Sequence, residues 1–268
     1  MHPMERLRAV ARAGDAPEDL VLREAAAALV AVASDPRALR TACRRMVGRQ
    51  RDAAGVVWVA ARMLTALDAR AEAGRILDEL RKDATARELA ALLPDDATVL
   101  VLGVSPAVAG ALVRRGDLEV LLAETVEGAF GLSIDLAGDG LAVADIPGEG
   151  IGAAAAAADL VVLDAAVVGP DAVLAPLGSL AAAAVARHAG RPVWAAAGVG
   201  RWLPAPMFDR FVDRRPDRAA WELAEELVPR TLVDRLVGPL GAVTAAGGPP
   251  WAPVAPDVFG PEDPHTGV

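Results

Sequence analysis

The sequence predicts an α/β fold in which an N-terminal helical subdomain is followed by a Rossmann-like, doubly wound parallel sheet. Three observations carry this expectation. Residues 5–93 repeat Ala, Leu, Arg and Glu at three-to-four spacing without a convincing strand. From residue 94 onward the pattern changes to short apolar runs, glycine turns and helices in alternation. Those runs are apolar on both faces, as strands covered by helices on each side must be.

In the helical region, Asp35 is a natural N-cap and Pro36 fits the first helical turn, where a missing N–H costs nothing. The run GVVWVAARMLTALDARAEAGRILDELRK supplies apolar residues for one long packed helix or a helix pair, and Asp83 can cap the helix after it. Strands are then expected at 99–102, 119–123, 141–144, 160–163 and 192–196, with helices from Pro106, near 129–136, near 152–158 and at 179–188. Residues 202–229 are partly irregular, and TLVDRLV reads as a final short helix. After Thr244 the chain is rich in Pro and Gly and reads as an extended or disordered tail, in preference to one that docks Trp251 and Phe259 on a neighbour. The expected division is 1–93 helical subdomain, 94–247 α/β domain and 248–268 tail.

Composition narrows the function classes. A chain of 268 residues can bury a large core in one large or two small domains. Hydrophobic residues make up 54%, yet the longest apolar runs fall far short of the roughly 20 residues a bilayer requires, so a soluble protein with no membrane partner is expected. The opening MHPMERLRAVARAGD has no continuous apolar stretch, so no secretory signal is read and a cytoplasmic location follows. A net charge of -9 argues against direct nucleic-acid binding, which needs a basic face. Cys43 is the one cysteine and His2, His188 and His265 are scattered, so no disulfide and no metal is expected. Within ALRTACRRMV, Cys43 fits a buried structural thiol better than a nucleophile.

Open parallel sheets bind ligands beyond the carboxyl ends of their strands. Those ends are Gly103-Val104-Ser105, Glu124-Thr125, residues 146–150, Asp164-Ala165-Ala166 and residues 196–198. Helix N-termini face the same crevice, and their free N–H groups favour anions such as phosphate. Ser105 and Ser179, the latter after Gly178, each open a helix there; each can hold a phosphate oxygen, though an ordinary N-cap is the plainer reading. There is no GxGxxG or Walker loop, so no dinucleotide cofactor is expected. Nor is there a nucleophile elbow or a Ser/His/Asp set, because His188 falls near a helix C-terminus.

Three segments carry a resemblance to a known superfamily: GSLAAAAVARHAGRPVWAAA, AGDGLAVADIPGEGIGAAAAAADLVVLDA and VPRTLVDRLVGPLG. In order and spacing they resemble the proteins that join methylthioribose-1-phosphate isomerase, ribose-1,5-bisphosphate isomerase and the alpha, beta and delta regulatory subunits of eukaryotic initiation factor 2B. The resemblance extends over residues 99–241. It implies that the isomerases move a proton between C1 and C2 of an open sugar phosphate, using a cysteine after the first sheet strand and the aspartate of a Gly-Ala-Asp motif. Here the cysteine position is Gly103, and the motif reads Asp164-Ala165-Ala166, so the acid's place is taken by Ala166. An Asn-Lys pair of the family reads Ala175-Pro176, and an arginine of its Glu-Ser-Arg-Pro motif falls on Val126, while Glu124 matches the acid. Arg51 matches the arginine of an Arg-Pro motif.

The resemblance therefore implies an initiation-factor-2B-like protein that is non-catalytic, regulatory or a binder of a phosphorylated sugar or nucleotide. It also implies a homodimer or higher oligomer, or a heteromer with a related protein. The alternative is a sugar-phosphate aldose–ketose isomerase that uses Asp164 with a relocated partner, Glu124 or Glu149, since such chemistry needs two groups within hydrogen-bond reach of the substrate. On either reading the candidate ligand contacts are Arg51, Gly103, Ser105, Glu124, Gly178 and Ser179, with Asp164 as the candidate catalytic group.

Overall fold

The computed structural model describes residues 18–123, 129–243 and 251–260. The chain forms two compact units, one made of Met1–Lys82, Gly200–Arg215 and Trp251–Val268, the other of Asp83–Val199 and Pro216–Pro250. The first unit thus takes in two segments from later in the chain.

In the helical unit, α1 (Glu18–Val30), α2 (Pro36–Arg49), α3 (Ala54–Thr65) and α4 (Ala69–Arg81) pack on one another, with Leu29, Met63 and Ile76 fully buried. Asp35 caps α2 as expected, accepting from the N–H groups of Arg37 at 2.9 Å and Ala38 at 3.1 Å. The long apolar run resolves into the helix pair α3 and α4, because Asp68 accepts from the N–H of Ala71 at 3.0 Å and starts a new helix. Gly55 lets α3 close on α1, since a Cβ there would lie 2.5 Å from Leu22 Cδ1. Residues 251–260, expected as part of a loose tail, pack within this unit. Trp251 meets Trp202 edge-on at 6.2 Å, Ala252 N–H donates to Trp202 O at 3.0 Å, and Phe259 lies under Arg210 and Arg214.

The sheet unit opens with α5 (Thr85–Leu92) and continues β1 (Thr98–Leu102), α6 (Pro106–Arg115), β2 (Glu119–Ala123), α7 (Ala129–Gly138), β3 (Ala142–Ile146) and α8 (Ile151–Ala157). Then come β4 (Leu160–Asp164), β5 (Val167–Val168), β6 (Ala172–Pro176), α9 (Ser179–His188), β7 (Val193–Ala196), β8 (Glu225–Pro229), β9 (Arg235–Gly238) and β10 (Gly241–Val243). The large sheet has the order β10-β9-β7-β4-β1-β2-β3, parallel throughout except for the antiparallel edge pair β9 and β10. Alternate residues of its central strands, Val99, Val101, Val120, Leu122, Leu160 and Val162, share one core with Leu89 of α5 and Val108 and Leu112 of α6.

Two expectations need correction. TLVDRLV is a 3-10 turn, Arg230–Leu232, followed by strand β9. Asp234 decides this: its N–H donates to Val193 O at 2.8 Å and its carboxylate accepts from Val193 N–H at 2.8 Å, which stitches the segment to β7. A seven-residue run lacks the length to hold a helix against such pairing. Between β4 and α9, where the sequence pattern places neither strand nor helix, the chain is also regular. It folds as the hairpin β5 and β6, and β8 adds to it in a second, antiparallel sheet of order β5-β6-β8.

Candidate functional site

The strand order sets where the site lies. From β1 the chain winds outward to β2 and β3, and from β4 it winds the other way to β7 and β9, so the connections diverge between β1 and β4. At such a switch point the loops leave a crevice beyond the strand ends. β1 delivers Gly103 to it and β4 delivers Asp164.

Gly103 has a φ of 82°, in the left-handed region. A Cβ placed on it would lie 2.7 Å from Pro176 Cγ and 3.0 Å from Asp164 Cβ. Both facts independently demand glycine. The position that the resemblance assigns to a reacting cysteine is therefore filled, from across the crevice, by the proline at the position it assigns to a lysine. Asp164 is half-buried beside this contact and is engaged with neighbouring groups. After it, Ala165 N–H donates to Ala196 O and Ala166 N–H to Leu174 O, both at 2.9 Å. The Asp164-Ala165-Ala166 backbone thus ties β4 to both sheets, while Ala166 offers only a methyl group.

At the rim, the N-terminus of α9 is occupied. Gly178, with a φ of 96°, and Leu180 both point their N–H groups at Glu226 Oε1, at 2.7 and 2.9 Å. Glu226 reaches this place from β8, where it pairs with Ala175 of β6. Ser179 between the two donors is 0% exposed, and its hydroxyl has no hydrogen-bond partner. Ser105 caps α6, its Oγ accepting from Val108 N–H at 3.4 Å, so the plain N-cap reading describes the bond it makes.

The loop after β7 is held by Asp83. One carboxylate oxygen accepts from Thr85 N–H at 2.9 Å and the other from Val199 N–H at 2.8 Å. Gly198 lies so close that a Cβ would stand 2.8 Å from that second oxygen. The remaining candidates are dispersed. Glu124 lies outside the described residues. Arg51 is exposed in the helical unit; there burial, then the charge of Arg51 and then that of Arg210 push the Arg214 guanidinium down to about 10, with Asp52 opposing them. Glu149 is exposed in the 3-10 turn after β3. The end of β3 stands three strands from the end of β4, roughly 14 Å at ordinary strand spacing. His188 is exposed at the C-terminal end of α9. Cys43 is fully buried, and burial pushes its thiol up to about 12.

Sequence reasoning missed Glu226, which lies in a stretch without period and acts 46 and 48 residues away from its origin. It identified Asp83 as a cap but not as the anchor of the β7 loop. The Gly-Pro-Asp turn at 169–171 was an available signal for the β5–β6 hairpin, whose closing bond runs from Gly169 N–H to Ala172 O at 2.9 Å.

The sequence matches no protein-family model and no curated protein. Solved structures are similar over nearly the whole chain. The Pyrococcus horikoshii OT3 translation initiation factor eIF-2B aligns with a TM-score of 0.72 at 15% identity, covering 90% of this chain and 96% of that one. A chain of the tetrameric eIF2B-beta2-delta2 complex from C. thermophilum aligns at 0.71 and 20% identity, covering 91% and 90%. The 5-methylthioribose 1-phosphate isomerase from Pyrococcus horikoshii OT3 aligns at 0.62 and 17% identity, covering 90% and 84%. At such identities the likeness speaks for the fold alone, and in fold the chain is similar to both initiation-factor-2B subunits and 5-methylthioribose-1-phosphate isomerase.

Proposed function

We propose that this chain is a divergent, non-catalytic member of the initiation-factor-2B-like superfamily that acts as a regulatory protein or as a binder of a phosphorylated sugar or nucleotide. The observation that carries the reading is the contact between Gly103 and Pro176. The site resembles an isomerase crevice in backbone, yet there is no space for a side chain at 103, and Ala166 cannot exchange a proton. Asp164 retains a carboxylate, but aldose–ketose transfer needs a second group, and the Glu149 turn lies three strands away. The isomerase reading therefore lacks its partner on that side.

Binding needs less than catalysis, because backbone N–H groups at a switch point can grip an anion whatever the side chains are. Assembly as a homodimer, a higher oligomer or a heteromer with a related protein belongs to the same proposal, supported by the tetrameric complex in which a similar structure occurs. A thermal-shift screen of phosphorylated sugars and nucleotides tests the binding part, since a ligand that binds only the folded state raises its stability. At least one is expected to raise Tm; no shift with any of them overturns that part. Light scattering is expected to show more than one copy per particle, and a monomer that captures no related protein overturns the assembly part.

A further inference from the structure

In the small sheet, of order β5-β6-β8, strand β8 (Glu225–Pro229) pairs with β6 on one side and with no strand of the described residues on the other. Arg230 N–H donates to Asp171 O and Leu177 N–H to Ala224 O, both at 2.9 Å, so the backbone groups of residues 224, 226, 228 and 230 face β6. Those of Leu227 are therefore turned outward. Side chains alternate across the sheet as well: Val228 is fully buried, while Leu227 and Pro229 are exposed on the opposite face. Leu227 is 37% exposed, and Trp221, four residues before the strand, is 78% exposed. Open edges of this kind are templates for the addition of a further strand.

Charge along this segment has a direction. Glu222, Glu225 and Glu226 stand at its start and Arg230 at its end. Glu226 is engaged at the α9 cap, and Glu222 is exposed. Arg230 is half-buried, its buried Nη1 has no hydrogen-bond partner, and burial alone pushes its guanidinium down, with no carboxylate opposing the shift. A half-buried charge without a counter-ion is costly.

We propose that β8 is the seam between two copies of this chain, paired antiparallel about a two-fold axis at Leu227. This rests on the assembly reading above and names its surface. A two-fold axis lets the same strand serve both partners. With Leu227 opposite its counterpart, the two exchange N–H···O=C bonds at the open edge, and their side chains meet on the exposed face. Residue 225 then falls opposite Pro229, whose carbonyl accepts and which has no N–H to leave unpaired. The antiparallel sense also brings the Arg230 end of each copy to the Glu222 end of the other, so acid meets base at both ends of the seam. The two small sheets become one continuous sheet.

The test reads the mass of the full chain by light scattering in wild type, Leu227→Lys, Leu227→Glu and the control Leu240→Lys, which alters an exposed leucine outside β8. Wild type and the control are expected to share a mass of more than one copy. Each Leu227 variant is expected to fall to half of it, because like charges then meet at the axis. Mixing the two Leu227 variants is expected to restore the wild-type mass, since Lys then faces Glu. Loss without restoration overturns the two-fold pairing. Unchanged mass in both variants overturns the seam and leaves assembly through another surface. A monomeric wild type overturns the seam, and it overturns the assembly reading only if it also captures no related protein. If a variant does not fold, amide exchange in assembled wild type decides: the outward Leu227 N–H is expected to be slowed at least about tenfold, and unprotected exchange there overturns the seam.

Discussion

The floor and the rim of the crevice differ in what supplies their polar groups. On the floor, Gly103, Pro176 and Ala166 stand where the resemblance would put a cysteine, a lysine and an aspartate, and a Cβ on Gly103 would lie 2.7 Å from Pro176 Cγ. At the rim, the helix N-terminus of α9 keeps its converging N–H groups, and a carboxylate sits on them. Chemistry carried by side chains is lost through a few substitutions. Geometry carried by backbone persists as long as the strands and helices do, because every residue type supplies the same N–H.

Substitutions at the floor and at the rim separate the two contributions. The largest effect is expected on the floor: Gly103→Cys places a side chain at a left-handed φ and into Pro176, and should cost about 3 kcal/mol of stability by urea unfolding. Adding Pro176→Ala to that variant should return the part due to the clash and leave the part due to the backbone. Next is Asp83→Ala, which removes the acceptor of Thr85 and Val199 N–H and leaves the buried Thr85 hydroxyl without it; about 2 kcal/mol is expected, together with faster amide exchange at Val199. At the rim, Glu226→Ala in chloride should cost about 1 kcal/mol, the ordinary value of a helix cap. A larger loss at Glu226 than at Gly103 would reverse the ranking of floor and rim. The smallest effect is far from the crevice. Burial holds the Cys43 thiol near 12, so native protein at pH 8 should leave a disulfide reagent unreacted until urea unfolds it.

The inner strands β1, β4 and β7 were legible because each is a short run buried on both faces, while β9, read as a helix, and β10 were not. Ser105-Pro106 and Asp35-Pro36 marked helix starts through local cap chemistry. The small sheet was hidden because β5 is two residues long and β8 comes from a stretch with no clear period. That Gly103 stands where the resemblance would put a cysteine could be read from the sequence, but its surroundings could not. Only the fold shows that residue 103 faces residue 176 across the crevice, and that an acid 46 residues beyond Leu180 returns to cap it.

The proposed binding role gives the crevice a binding backbone without isomerase chemistry. Its most direct test is to incubate the purified wild-type protein separately with ribose-1,5-bisphosphate and with methylthioribose-1-phosphate and follow C1 and C2 by NMR. No aldose–ketose conversion above a protein-free control is expected. Conversion by wild type that is abolished in Asp164→Ala would contradict it and return Asp164 to the role of a catalytic acid or base.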